Sequence, residues 1–269
     1  MSSDERCLSS PVNTLTEEGG GLYLIQDILC AFSLLTILPI PFGWLDAKRT
    51  PARAMAAYPF VGLVLGVLIM LAYWVSQAIL PPLVSAALIV VTWAVLTGGL
   101  HLDGWADCCD ALPATVTQEQ RLEILQDPRL GSFGGIGLVL LLMCKFAAVA
   151  SLPHASTTPI SALILAPTLG RWAIVNVAAV FPLARPDGMA AHFRAGLARR
   201  ELACAALTAA LVCGAAGWGG LMAFVATVLT AALTGRWATS RLGGVTGDVY
   251  GATCELVEVV VLVLACIHL

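Results

Sequence analysis

The sequence predicts an all-α fold: a polytopic bundle of seven or eight membrane-spanning helices with catalytic loops on the cytoplasmic face. Three observations predict it. Of the 269 residues, 59% are hydrophobic and 12% charged, against about 25% charged for an ordinary soluble domain. The apolar residues gather in runs near the roughly 20 residues that a helix needs to cross the hydrocarbon core. The basic residues concentrate in one set of the breaks between those runs.

The runs cover residues 22–40, 58–80, 83–100, 134–152, 160–181, 202–233 and 250–269. The sixth carries Gly214, Gly217, Gly219 and Gly220 near its middle, so it reads as two helices joined by a tight turn. The first either spans or lies along the interface, and Asp27 near its start favours neither. Breaks at residues 81–82, 153–159 and 214–220 carry no charge, whereas those at 41–57, 101–133, 182–201 and 235–249 hold 11 of the 14 Lys and Arg. With the long run split, these four charged breaks share one face, and their positive excess names it cytoplasmic. Residues 1–20 are polar, with Asp4, Glu5, Glu17 and Glu18 against Arg6. They lack the basic start of a signal peptide and are expected to form a loosely ordered tail before a single integral membrane domain over 21–269.

A formal net charge of −3 without a basic arm gives no basis for a nucleic-acid partner. The lipid bilayer is the partner that composition implies, and a homo-oligomer is left open. Most of the nine cysteines (among them Cys30, Cys144, Cys204, Cys213 and Cys266) sit inside apolar runs, and none forms a Cys-x-x-Cys pair. They read as reduced packing residues. The Cys108-Cys109 pair, beside acids, is the one place where a reactive thiol competes with that reading.

The chemistry concentrates in His101-Leu102-Asp103-Gly104-Trp105-Ala106-Asp107-Cys108-Cys109-Asp110, directly after the third apolar run. If the helix continues through it, Asp103, Asp107 and Asp110 stand at i, i+4 and i+7 and project from one face. Such carboxylates repel one another unless a cation lies between them. Hard oxygen ligands that leave room for phosphate suit Mg²⁺. The bland alternative is a solvated acidic patch, which Gly104 and Trp105 among apolar neighbours disfavour. The same break closes with Asp127-Pro128-Arg129-Leu130-Gly131-Ser132-Phe133-Gly134-Gly135. This specified turn has backbone amides that, with Arg129, would cradle phosphate oxygens, and Asp127 would join the metal site.

Lys145 and Arg171 lie about three turns inside apolar runs, where ionisable groups face the bundle interior and pair or line a substrate path unless they snorkel to an interface. Phosphate or a carboxylate is their expected destination. A second polar cluster holds Arg236, Arg241 and Gly243-Gly244-Val245-Thr246-Gly247-Asp248, followed by Glu255 and Glu258. Asp248 and Glu255, seven apart, share a helical face. Acids that deep need a cation, and Arg171, Lys145 or a metal would supply it. Trp74, Trp93, Gly62 and Gly66 read as interface anchors and packing positions, and His154 and His192 as turn and surface residues.

Gly98-Gly99-Leu100-His101-Leu102-Asp103-Gly104-Trp105-Ala106-Asp107, the Asp127 to Gly134 turn, and Gly243 to Asp248 with Gly251-Ala252 and Glu255 resemble the cobalamin synthase family, the adenosylcobinamide-GDP ribazoletransferases. The likeness runs from about Leu24 onward. It implies a Mg²⁺-dependent enzyme of the bacterial inner membrane that joins adenosylcobinamide-GDP to α-ribazole or its 5'-phosphate and releases GMP. A hydroxyl or phosphate oxygen of the ribazole would attack the phosphorus on the cobinamide side. Under this resemblance Asp103 and Asp107 hold Mg²⁺, with Asp110, Asp127 and Asp248 completing its coordination. Arg129, Lys145 and Arg171 offset phosphate charge, His101, Ser132 and Arg236 contact substrate, and Glu255 takes the nucleophile's proton. Cys108-Cys109 and Pro128 depart from the family's usual residues without removing a carboxylate or Arg129.

Three other readings share some of these features. A CDP-alcohol phosphotransferase would show Arg after Asp-Gly-x-x-Ala, where this chain has Asp107. A prenyltransferase would show tight aspartate pairs. An ion-coupled transporter would use Lys145, Arg171, Glu255 and Glu258 as its path, but the runs show no inverted repeat and the acids gather at one face.

Overall fold

The computed structural model describes residues 20–40, 51–152 and 158–267. Residues 1–19 of the expected tail, residues 41–50 of the first charged break and the turn holding His154 lie outside the described residues. The elements are α1 (Gly20–Leu35), α2 (Pro51–Ala54), a 3-10 turn (Met55–Ala57), α3 (Tyr58–Ile79), α4 (Pro82–Leu96), α5 (Leu100–Ala111), α6 (Gln118–Ile124), α7 (Ser132–Ala150), α8 (Thr158–Val180), α9 (Met189–Arg194), α10 (Arg199–Ala215), α11 (Gly217–Leu242) and α12 (Gly247–Ala265). Apart from one isolated parallel bridge, Leu183 with Val245, the described residues form no β-structure.

Four helices are long and apolar enough to cross a membrane: Ala52–Ile79, which runs α2 into α3, then Ser132–Ala150, Ala162–Val180 and Gly217–Leu242. A fifth results if α4 and α5 count together, although they meet at 92°. The expected seven or eight runs all form helix, but not all pass on length and apolarity. The apolar part of α1 is short, α10 opens on Arg199, Arg200 and Glu201, and α12 carries Asp248, Glu255 and Glu258.

At the centre stands α8, whose apolar window is 78% buried against 22% for α11. It packs on α3, α12, α11 and α10. Gly62 and Gly66 are packing positions, as their residue type suggests: a Cβ at Gly62 would lie 2.3 Å from the Pro167 carbonyl oxygen. Outward faces carry Trp74, Val75, Leu88, Val91, Val139 and Leu229, all exposed. A helix apolar on its outer face as well as its inner one is matched to lipid rather than water.

The long run breaks where its glycines predicted. α10 ends at Ala215, and Gly217, at φ +61°, opens α11. The third run ends earlier than its composition suggested, and the helix does not continue into the acidic motif. It stops at Leu96, and Gly98 and Gly99 take φ of +61° and +70°, values that cost glycine little. The chain turns through 92° into α5, which packs on α12 and α7. α4 and α5 are thus two helices that meet at a sharp bend.

The charged breaks contain structure that periodicity missed. α6 starts at a capping box in which Thr117 Oγ1 accepts the Gln120 N–H at 3.4 Å and Gln120 Oε1 accepts the Thr117 N–H at 3.1 Å. Buried Arg121 donates to the carbonyls of Ala114 at 2.8 Å and Arg241 at 3.4 Å, tying this break to the end of α11. The bridge is made by Ala184 N–H to Val245 O at 3.0 Å and Val245 N–H to Pro182 O at 2.8 Å. It ties the segment after α8 to the one before α12.

Candidate active site

Two close backbone approaches assemble the acids. A Cβ at Gly104 would meet the Asp248 carbonyl oxygen at 2.8 Å, and one at Gly251 would meet the His101 Cα at 3.2 Å. Only glycine at these points lets α5 lie directly on the first turn of α12. Asp103, Asp107 and Asp110 share one helix, as their spacing predicts, and Asp248 enters the same field from the start of α12. There Thr246 caps the helix by accepting the Val249 N–H at 3.4 Å and donates its hydroxyl to Asp248 Oδ2 at 3.1 Å. Partial burial, with the charges of Asp103, Asp248 and Asp110, pushes the Asp107 carboxyl up to about 6. Asp248, ahead of the last apolar run, is also raised: burial and Asp103 outweigh its Thr246 hydrogen bond and Arg185.

Asp110 and Asp127 serve the loop instead. Asp110 Oδ2 accepts the Gly131 N–H and Oδ1 the Gly134 N–H, both at 2.9 Å, and Trp105 Nε1 donates to Gly137 O at 2.9 Å. These bonds fasten α5 to the start of α7. Both Asp110 oxygens thus accept backbone hydrogens, a positioning contact that its expected roles in metal binding and catalysis did not include. Asp127 accepts the Arg129 guanidinium at 2.6 Å, and Arg129 holds it down to about 2. This exposed pair leaves neither residue directed at the other acids. Ser132 and Arg236 are exposed and line no described cavity.

The deep charges pair with one another. Lys145 Nζ lies 2.7 Å from Glu255 and 2.6 Å from Glu258, and Arg171 bonds the other oxygen of Glu258. The Lys145 ammonium also sits 4.6 Å from the Trp93 ring centroid. None of these charged side chains is more than 3% exposed. This balanced network, two cations on two anions, accounts for the ionisable residues in the apolar runs. Of the destinations expected for Lys145 and Arg171, phosphate or a carboxylate, the structure shows the carboxylate, and Glu255, expected to take a substrate proton, is held by Lys145.

Beside the acids opens a cavity of about 470 Å³. Asp103 and Asp248 line it, with His101, Tyr58, Phe193 and Tyr250. Arg185 and Asp187 also line it, and the sequence reading missed them. Their break was legible as a charged loop, but only the Leu183–Val245 bridge brings it to α12. Arg185 is fixed by donating to the Leu122 carbonyl.

Among the described residues no three of His, Cys, Asp or Glu converge to hold a metal by themselves. Asp103, Asp107 and Asp248 offer hard carboxylate oxygens, the donor type that Mg²⁺ shares with substrate phosphates, and burial, then the neighbouring charges, raises the proton affinity of Asp107.

A family model described as Cobalamin-5-phosphate synthase matches residues 27–266. The chain is 39% identical over 233 residues to an adenosylcobinamide-GDP ribazoletransferase of Roseiflexus sp. (strain RS-1), covering 86% of each chain. It is 39% identical over 237 residues to one from Stutzerimonas stutzeri (strain A1501), covering 88% of this chain and 96% of the relative. No solved structure matches.

Proposed function

The chain belongs to the cobalamin-5-phosphate synthase family, and from that premise we propose that it joins adenosylcobinamide-GDP to α-ribazole or its 5'-phosphate. The products are adenosylcobalamin, or its 5'-phosphate, and GMP. Membership in this family displaces the CDP-alcohol phosphotransferase, prenyltransferase and transporter readings. The observation that carries the mechanism is the packing of Gly104 on the Asp248 backbone, which puts Asp103 and Asp248 on one cavity with Asp107 in the field of both.

A ribose hydroxyl of the ribazole attacks the phosphorus on the cobinamide side of the diphosphate, the phosphoanhydride bond to GMP breaks, and the hydroxyl proton is released to solvent. A product that retains a 5'-phosphate requires the nucleophile to be a hydroxyl. One or two of the Asp103, Asp107 and Asp248 carboxylates, together with the substrate's own phosphates, would hold Mg²⁺, which when bound would neutralise diphosphate charge and favour departure of GMP. Asp110 positions α5 by its two bonds to the loop before α7, and Gly104 keeps Asp248 against it. Arg185 supplies the cationic side chain of the cavity wall. The one-sided basic breaks support a site facing the cytoplasm of a bacterial inner membrane.

The experiment is GMP release and corrinoid product formation by the purified protein in lipid, with Mg²⁺ or a chelator, for wild type and Asp103→Asn. Mg²⁺-dependent product that falls at least a hundredfold in the folded variant is expected. No product from folded wild type would overturn the assignment.

A further inference from the structure

Two polar side chains that line the cavity have no hydrogen-bond partner among the described residues: both ring nitrogens of His101 and the Tyr250 hydroxyl. They are only 3% and 4% exposed. Buried polar groups are nearly always partnered, and two orphaned side chains on residues that line one cavity point to a ligand that completes them. The rest of the lining limits which ligand. Three acids, Asp103, Asp187 and Asp248, face one cation, Arg185, so the wall opposes an unaccompanied polyanion. The remaining surface is largely apolar and aromatic, with Leu34, Ile174, Tyr58 and Phe193; the last two rings meet edge to face at 6.4 Å. A guanosine diphosphate gains little from such a surface, and about 470 Å³ is small for a corrinoid.

We propose that this cavity is the subsite for the ribazole nucleoside, with Tyr250 and His101 as its hydrogen-bonding partners. The inference rests on the ribazoletransferase reading above. A benzimidazole riboside presents a flat apolar face to the aromatic side chains. Its single in-plane acceptor nitrogen and its ribose hydroxyls are groups that a phenol and an imidazole satisfy. Adenosylcobinamide-GDP then approaches from outside the cavity, bringing its diphosphate to the rim where Asp103 and Asp248 stand. His101 and Tyr250 hold the acceptor nucleoside and take no part in bond breaking.

The test uses the full chain in lipid. α-Ribazole binding is titrated directly without Mg²⁺, and KM is measured separately for each substrate with Mg²⁺. Tyr250→Phe removes a hydroxyl that has no partner in the free protein, so Tm is expected to hold or rise. The Kd and KM for α-ribazole rise roughly tenfold, while KM for adenosylcobinamide-GDP stays unchanged. His101→Gln, which keeps hydrogen-bonding capacity but not ring geometry, weakens ribazole binding in the same direction. Wild-type protein that does not bind α-ribazole, or a Tyr250→Phe variant that binds it equally well, overturns the proposal. So does a defect confined to adenosylcobinamide-GDP. Absence of product from wild type would instead remove the activity reading, and the Mg²⁺-free titration still decides the cavity's ligand.

Discussion

Partial burial beside like charges is the defining feature at Asp107. Partial burial and the neighbouring carboxylates of Asp103, Asp248 and Asp110 push its acid up to about 6. The folded protein therefore binds this proton more tightly than the unfolded chain, and that contribution to stability is present at low pH. It is lost as pH rises from the ordinary carboxylate value through about 6. A divalent cation competes for the same oxygens and gains as the proton leaves. Mg²⁺ is thus expected to raise Tm more at pH 7 than at pH 5, and Asp107→Asn to flatten that difference, as thermal unfolding in detergent at both pH values will show. Equal Mg²⁺ effects at the two pH values would count against cation binding here. The spacing of Asp103 and Asp107 made their shared face legible in advance. It gave no sign that Asp110 is spent on the Gly131 and Gly134 amides, because that bond depends on where a loop 21 residues away returns.

Between α5 and α12 the separation is set by missing side chains. Any Cβ at Gly104 meets backbone, the Asp248 carbonyl at 2.8 Å and its Cα at 3.0 Å, so neither neighbour yields by rotating a side chain. Gly104→Ala is expected to leave the helices intact yet displace Asp248 from Asp103. It should lower kcat/KM by about a hundredfold, the usual scale for misplacing catalytic groups by roughly an ångström. Overpacking of this kind costs about 1–3 kcal/mol in stability. Gly214→Ala, in α10 with nothing within 4 Å of its added Cβ, is the control and should retain activity. Kinetic assays of the two variants side by side distinguish a close helix approach from a general intolerance of bulk. The turn into α5 belongs to the same scale. Gly98-Gly99 was visible as a pair in the sequence, but its left-handed dihedrals and the 92° bend arise from the packing of α5 on α12 and α7.

Across the whole molecule, 11 of the 14 basic residues lie in four breaks, and the resulting orientation is testable. A cysteine introduced by Arg129→Cys, at an exposed position in the charged break between α6 and α7, should react with an impermeant maleimide only from the cytoplasmic side of sealed vesicles, measured in a background whose native thiols have been replaced. Labelling from the opposite side would invert the topology. The sequence by itself determined the all-α membrane class, the split of residues 202–233, the packing glycines and the two segments that carry the site acids. All of these follow from local composition and helical period, which act within one element. Only the tertiary structure decided that Lys145, Arg171, Glu255 and Glu258 neutralise one another, that Asp110 is a clasp, and that Arg185, Asp187, Tyr58 and Tyr250 share a cavity with Asp103 and Asp248. Those partnerships join residues on different helices. Desolvation requires each buried charge to find an opposite one, but which one it finds is set by how the helices pack.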